Sequence, residues 1–116
     1  MGVIELMTKR NDVARLFRHQ SKIHRNCIRI NIGSSLEHEL KKFQVCWNLK
    51  KQGKEFITEA EFERPGIFKK RADIVCLDDG VILEIIVSER EESLLAKEMD
   101  YPLPIIKIYA RGEKRG

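Results

Sequence analysis

Apolar residues recur along the chain with two different periods, and the switches between them mark out the elements. In "NDVARLFRHQSKIHR" Val13, Leu16, Phe17 and Ile23 gather on one side of a helical period with arginines on the other, which predicts an amphipathic helix starting near Asn11 or Asp12. "CIRINI" alternates Ile28, Ile30 and Ile32 with Arg29 and Asn31, a strand pattern. "GSSLEHELKKFQVCWNLKKQG" returns to helical spacing. Its stripe of Leu36, Leu40, Phe43 and Trp47 is expected to face the core, Ser34 and Glu37 have capping-box spacing, and Gly53 suits the stop. "EFITEAEF" reads as a strand and "ERPG" as a turn, with Glu59, Glu61 and Glu63 alternating onto one face, expected to be solvated, although one of them could complete a metal site. "RADIVCL" and "VILEIIV" are β-branched runs joined by "DDG", where Asp79-Gly80 favours a two-residue hairpin turn. A helix capped by Ser88 and Glu91 and a last strand, "PIIKIYA", close an α/β order of helix, strand, helix, three strands, helix, strand.

The hairpin holds the most organised apolar sequence in the chain, yet carries Asp73 and Glu84. A carboxylate buried beside Ile, Val and Leu costs several kcal/mol unless a cation, a proton or hydrogen bonds compensate, so something should sit between these acids. With Asp79 and Gly80 as the turn, Val75 pairs with Glu84 and Asp73 with Ile86, and the two acids become diagonal neighbours on one face. A three-residue loop over Asp78 to Gly80 would instead put them on opposite faces. Two converging carboxylates suit Mg²⁺ or Mn²⁺, which prefer oxygen ligands and assist attack at phosphate.

Charge adds a direction to this picture. The net charge is +4, but residues 1 to 33 hold seven bases against two acids, and the remainder 15 bases against 16 acids. The positive field is therefore N-terminal, on Lys9, Arg10, Arg15, Arg18, Lys22, Arg25 and Arg29, with Lys69 and Lys70 beside the hairpin. Such a segment attracts polyanions, nucleic acid above all, or else is the solvated face of a lysine-rich protein. Cys27, Cys46 and Cys76 are an odd, widely spaced set beside apolar residues and read as buried free thiols, and the three histidines show no ligand spacing for zinc. The absence of a long apolar run and the early charges of "MGVIELMTKRND" lead to the expectation of a cytoplasmic protein with no membrane partner. The abundance of Glu, Lys and Ile suits a thermophile.

A capped helix bearing an acid ("SSLEHELKK"), a glycine, a strand and then "RADIVCLDDGVILEIIVSE" resembles the core of the PD-(D/E)XK, or restriction-endonuclease-like, nuclease superfamily, over about residues 33 to 110. The resemblance implies a mixed central sheet flanked by helices. It divides a single domain, 1–116, into a basic N-terminal helix and strand (1–32), a nuclease-like core (33–110) and a basic tail (111–116). Asp73 then resembles the metal-binding aspartate, Glu84 the acid of the (D/E)XK half-motif, and Glu39 the helical glutamate of some members. The implied cofactor is Mg or Mn and the implied substrate DNA, including branched or junction DNA, cut by a homodimer.

One position departs from the pattern. Two residues beyond Glu84, where the family has lysine, stands Ile86, which can neither activate water nor stabilise negative charge. Arg71, on the same strand face as Lys69 and Asp73, could supply charge but hardly a base, and Lys41 and Lys42 on the helix are further candidates. Three functions remain open: a metal-dependent nuclease, a DNA-binding protein that has lost the chemistry, and a structural or partner-binding protein in which the acids are incidental. In the last, Asp73 only pairs with Arg71 or Lys69, Glu84 lies on a solvated edge and Glu39 pairs with Lys42 on the helix surface.

Overall fold

The structure is a computed structural model that describes residues 2–18, 24–64, 67–96 and 101–111, with the backbone alone for 64, 67–69 and 96. Its elements are α1 (Val3–Ala14), α2 (Leu36–Lys51), β1 (Phe56–Arg64), β2 (Ile67–Cys76), β3 (Val81–Ile86), α3 (Glu89–Ala96) and β4 (Ile105–Tyr109). The strands form one mixed sheet in the order β1-β2-β3-β4. The first two pairings are antiparallel, and β3 pairs parallel with β4 after the crossover through α3.

Alternation along β2 and β3 splits the core into two clusters. Val75, Leu77 and Ile82 pack with Val13, Ala14 and Phe17, so α1 and the turn after it cover one face. Ile74, Cys76, Leu83 and Ile85 pack with Cys46 and Leu49, so α2 covers the other. α1 is fastened by Arg10, whose guanidinium donates to both Asp78 oxygens at 2.9 Å and to Glu55 at 3.1 Å. Among the described residues no helix is long and apolar enough to cross a membrane.

The helix and strand ends follow their local chemistry. Ser35 caps α2 by accepting from the His38 N–H at 3.1 Å, one residue later than the expected Ser34 and Glu37 box. Gly53, with φ +74°, ends that helix, and Lys54 N–H closes back on the Leu49 carbonyl. Ser88 accepts from Glu91 N–H, and Glu91 reaches back to Val87 N–H, one residue before the Ser88 N–H that a regular capping box would use.

Several expectations are corrected. The first helix begins at Val3 rather than near Asn11, and runs only to Ala14. "CIRINI" forms no strand. It runs beside β1, where Thr58 Oγ1 donates to the Cys27 carbonyl and accepts from Arg29 N–H, leaving Ile30 and Ile32 in solvent. Leu36, Leu40, Phe43 and Trp47 are exposed; the face of α2 that meets the sheet carries His38, Lys42, Cys46 and Leu49. Cys27 is exposed, whereas Cys46 and Cys76 are buried free thiols. His19, Lys22 and the Pro65-Gly66 turn lie outside the described residues.

The hairpin turn also differs from its expected form, in a way that preserves the site. Cys76 pairs with Val81 around a four-residue loop, Leu77 to Gly80, so the register is shifted by two residues from that of a two-residue turn. An even shift keeps every side chain on its face. Its effect is to bring Asp73 and Glu84 from diagonal to directly opposite positions.

Candidate acidic site between sheet and helix

The β2–β3 ladder ends at the pair Ile74 and Leu83, and the next residues are the two acids. There the carboxylates take over from the ladder. Asp73 N–H donates to Glu84 Oε1 at 3.0 Å, and Ile85 N–H donates to Asp73 Oδ2 at 2.8 Å. Burial, followed by the negative charge of Asp73, pushes the Glu84 carboxyl up to about 9.

Glu59 extends this row into β1. The register sets Thr58 against Ile74 and Ala60 against Ala72, which places Glu59 opposite Asp73. The backbone of Glu59 is left-handed, with φ +48°, a conformation costing about 1 kcal/mol or more for a residue with a side chain. Here β1 changes which residues face α1, from Ile57 to Ala60 and Phe62, and β2 does the same between Val75 and Ala72. This twist removes Glu59 from the solvated face expected for Glu59, Glu61 and Glu63. It is 6% exposed, and its Oε1 has no hydrogen-bond partner among the described residues, with Arg71 Nη1 3.8 Å away. Burial first, opposed by Lys42, holds its carboxyl above the ordinary value.

The cations that answer these acids come from the buried face of α2. His38 donates from Nε2 to Asp73 Oδ2 at 3.1 Å and from Nδ1 to Glu39 Oε2 at 2.6 Å, so both ring nitrogens carry protons. Burial disfavours its imidazolium, but the bonds and charges of Asp73 and Glu39 outweigh that and raise its pKa to about 9. Lys42, fully buried, reaches Glu39 Oε1 at 2.6 Å, Glu59 Oε2 at 3.4 Å and the Arg29 carbonyl at 2.7 Å. These three acceptors match its three protons. Glu39 also accepts from Asn31 N–H at 2.7 Å; although burial pushes its carboxyl up, the bonds from Asn31, Lys42 and His38 hold it below the ordinary value.

The site opens into a cleft of about 260 Å³ lined by Ser34, His38, Asp73, Glu84, Glu91 and Tyr101. Asp73 and Glu84 reach it, as the sequence suggests; Glu39 stands behind His38, and Arg71 lies at the exposed edge beside Glu59. Asp73 pairs with His38 rather than with Arg71, and Glu84 lies on an interior strand rather than a solvated edge. Ile86 is buried on the cleft wall. His38 was not legible from ligand spacing. Its signal is the stripe His38, Lys42, Cys46, Leu49 on one helix face, opposite strands whose acids need cations.

The basic candidates are dispersed. Arg10 and Arg25 pair with Glu55, Arg10 also with Asp78, and Arg25 with Asn11. The Arg29 guanidinium is bound to the carbonyls of Thr58 and Glu59. Arg18 pairs with Glu63, Arg15 with Asp12 at the surface, and Lys9 lies over Gly80 at the hairpin loop. Lys70 is half-buried on β2, and only the backbone of Lys69 is described.

As ligands, Asp73 and Glu84 offer hard oxygens, the donor type that Mg²⁺ and Mn²⁺ prefer. Among the described residues no group of three or more His, Cys, Asp and Glu side chains is arranged to hold a metal ion. Mg²⁺ does not require one, since it commonly uses one or two carboxylates with water and substrate phosphate completing the shell. The two carboxyl groups stand at opposed strand positions and line the same cleft, so the residues fit such an ion. No family model, no curated protein and no solved structure matches this chain.

Proposed function

We propose that the protein is a metal-dependent nuclease-like enzyme on a restriction-endonuclease-like core, acting on DNA phosphodiester bonds. The observation that carries this reading is the pair Asp73 and Glu84, whose carboxylates accept backbone N–H groups across the end of the β2–β3 ladder and line one cleft beside His38. The order of α2, three antiparallel-paired strands, α3 and a parallel β4 supports it as well. A bound Mg²⁺ or Mn²⁺ would orient water and offset the charge developing on phosphate.

The chain's own residues divide the remaining work. Asp73 and Glu84 would hold the ion. His38 orients Asp73 through Nε2 and, in place of the absent lysine at Ile86, presents the cation nearest the acids; Glu39 fixes the ring through Nδ1. Lys42 holds Glu39 and Glu59, with its protons committed to acceptors inside the protein, so it acts as a positioning residue. The net charge of +4 favours a polyanionic partner. A second reading, DNA binding on the same fold without cleavage, is favoured by the isoleucine at position 86.

The test is incubation with branched, duplex and single-stranded DNA in Mg²⁺ or Mn²⁺. Cleavage that stops with chelator and in folded Asp73→Asn is the expected result. DNA binding that falls steeply with salt, without cleavage of any substrate, would establish the second reading.

A further inference from the structure

Among the described residues, the outward face of α2 sets sequence pattern against burial. Leu36, Leu40, Phe43 and Trp47 follow a spacing of four, three and four residues, the seam of a helix that packs along another helix. In the protomer all four are exposed, and Ile30 and Ile32 lie exposed beside them. Between segment 28–32 and α2 runs an apolar groove of about 530 Å³ lined by Ile28, Ile30, Ile32, Leu36, Leu40 and Phe43. Phe43 and Trp47 already stack on each other, with ring centroids 6.1 Å apart.

We propose that this face is covered by a second copy of the same chain, with α2 packed antiparallel on its two-fold mate. Three observations select that occupant. The first is area: Ile32 is 97% exposed and Trp47 57%, and the six exposed side chains together present roughly 800 Å², about what one partner contributes to a standard interface. Monomers seldom leave so large an apolar patch open. The second is symmetry. The seam is centred between Leu40 and Phe43, so a two-fold axis there sets Leu40 against the mate's Phe43 and Leu36 against its Trp47. Trp47 of each copy then lies at the groove of the other. The third is charge. The first turn of α2 carries Glu37, which also meets Arg111, and the last turn carries Lys50 and Lys51. An antiparallel pairing brings each acidic end to the mate's basic end and opposes the helix dipoles.

This inference is independent of the reaction at the acidic site. It is tested on the full chain by sedimentation velocity, with fluorescence of Trp47, the chain's sole tryptophan, as a local reading. The expected result is a species of twice the 13.6 kDa protomer, with Trp47 emission moving to shorter wavelength as the dimer forms. Leu40→Glu, at an exposed position, should keep the far-ultraviolet circular dichroism and raise the dissociation constant by about 100-fold or more. Glu37→Lys should weaken the dimer and Glu37→Lys with Lys51→Glu should restore it. A chain that stays monomeric up to about 100 micromolar overturns the proposal and leaves the face to a different partner. A dimer indifferent to Leu40→Glu, with unchanged Trp47 emission, overturns it equally.

Discussion

Replacing Lys42 with methionine should destabilise the fold by about 3–5 kcal/mol, although the new side chain keeps the unbranched shape of the old one, is one atom shorter and adds no bulk. The wild-type ammonium is fully buried and serves Glu39, Glu59 and the Arg29 carbonyl. Its removal leaves Glu59, 6% exposed, as a buried acid without its main cation, and leaves half-buried Glu39 with His38 alone. A loss of that size is a large fraction of the 5–15 kcal/mol that stabilises a typical domain. The penalty comes from uncompensated charge, so Lys42→Met combined with Glu39→Gln and Glu59→Gln should recover most of it. Urea unfolding of the single and triple variants checks both statements. A single variant within about 1 kcal/mol of wild type would mean that Lys42 is not the counter-charge of this cluster.

Stability without metal should fall as pH rises from about 6.5 to 9. The groups facing one another are His38, Glu39 and Lys42 on α2, Glu59 on β1, Asp73 and Arg71 on β2, and Glu84 on β3. The pKa of His38 is raised from 6.5 to about 9, so its contribution is fully present below the unfolded value and is lost as pH passes through the folded one. Its share is at most about 3 kcal/mol. Glu84, raised to about 9, acts in the same direction: the folded protein keeps a proton that the unfolded chain releases near pH 4.5, and stability declines between those values. Melting temperatures in chelator across this range provide the measurement. His38→Gln and Glu84→Gln should each flatten the profile, whereas a wild-type midpoint that stays level or rises would refute the assignment.

The parts of the fold that local chemistry determines could be read from the sequence. Gly53 and the box of Ser88 and Glu91 mark helix ends in the structure, and the β-branched runs around Asp79-Gly80 pair as an antiparallel hairpin. What depended on tertiary partners was not legible. The strand pattern of "CIRINI" has no sheet partner, because Arg29 and Thr58 tie the segment alongside β1 through side chains instead. The stripe through Trp47 looks like a core face only if apolar residues must face their own sheet. The face of α2 that does so carries His38 and Lys42 because β1 to β3 bury acids there. Asp73 and Glu84 were found because acids are costly among β-branched residues. The same reasoning points to their cations, once the helix face opposite them is known.

The most direct measurement for the acidic site is Mn²⁺ titration of isotope-labelled protein, read as paramagnetic broadening of backbone amides. The reading of Asp73 and Glu84 as metal ligands predicts broadening centred on Asp73, Glu84 and Ile85, absent from a folded Asp73→Asn, Glu84→Gln variant. Broadening confined to the exposed acids Glu89 and Glu91 at the start of α3, or none around Asp73, would contradict it.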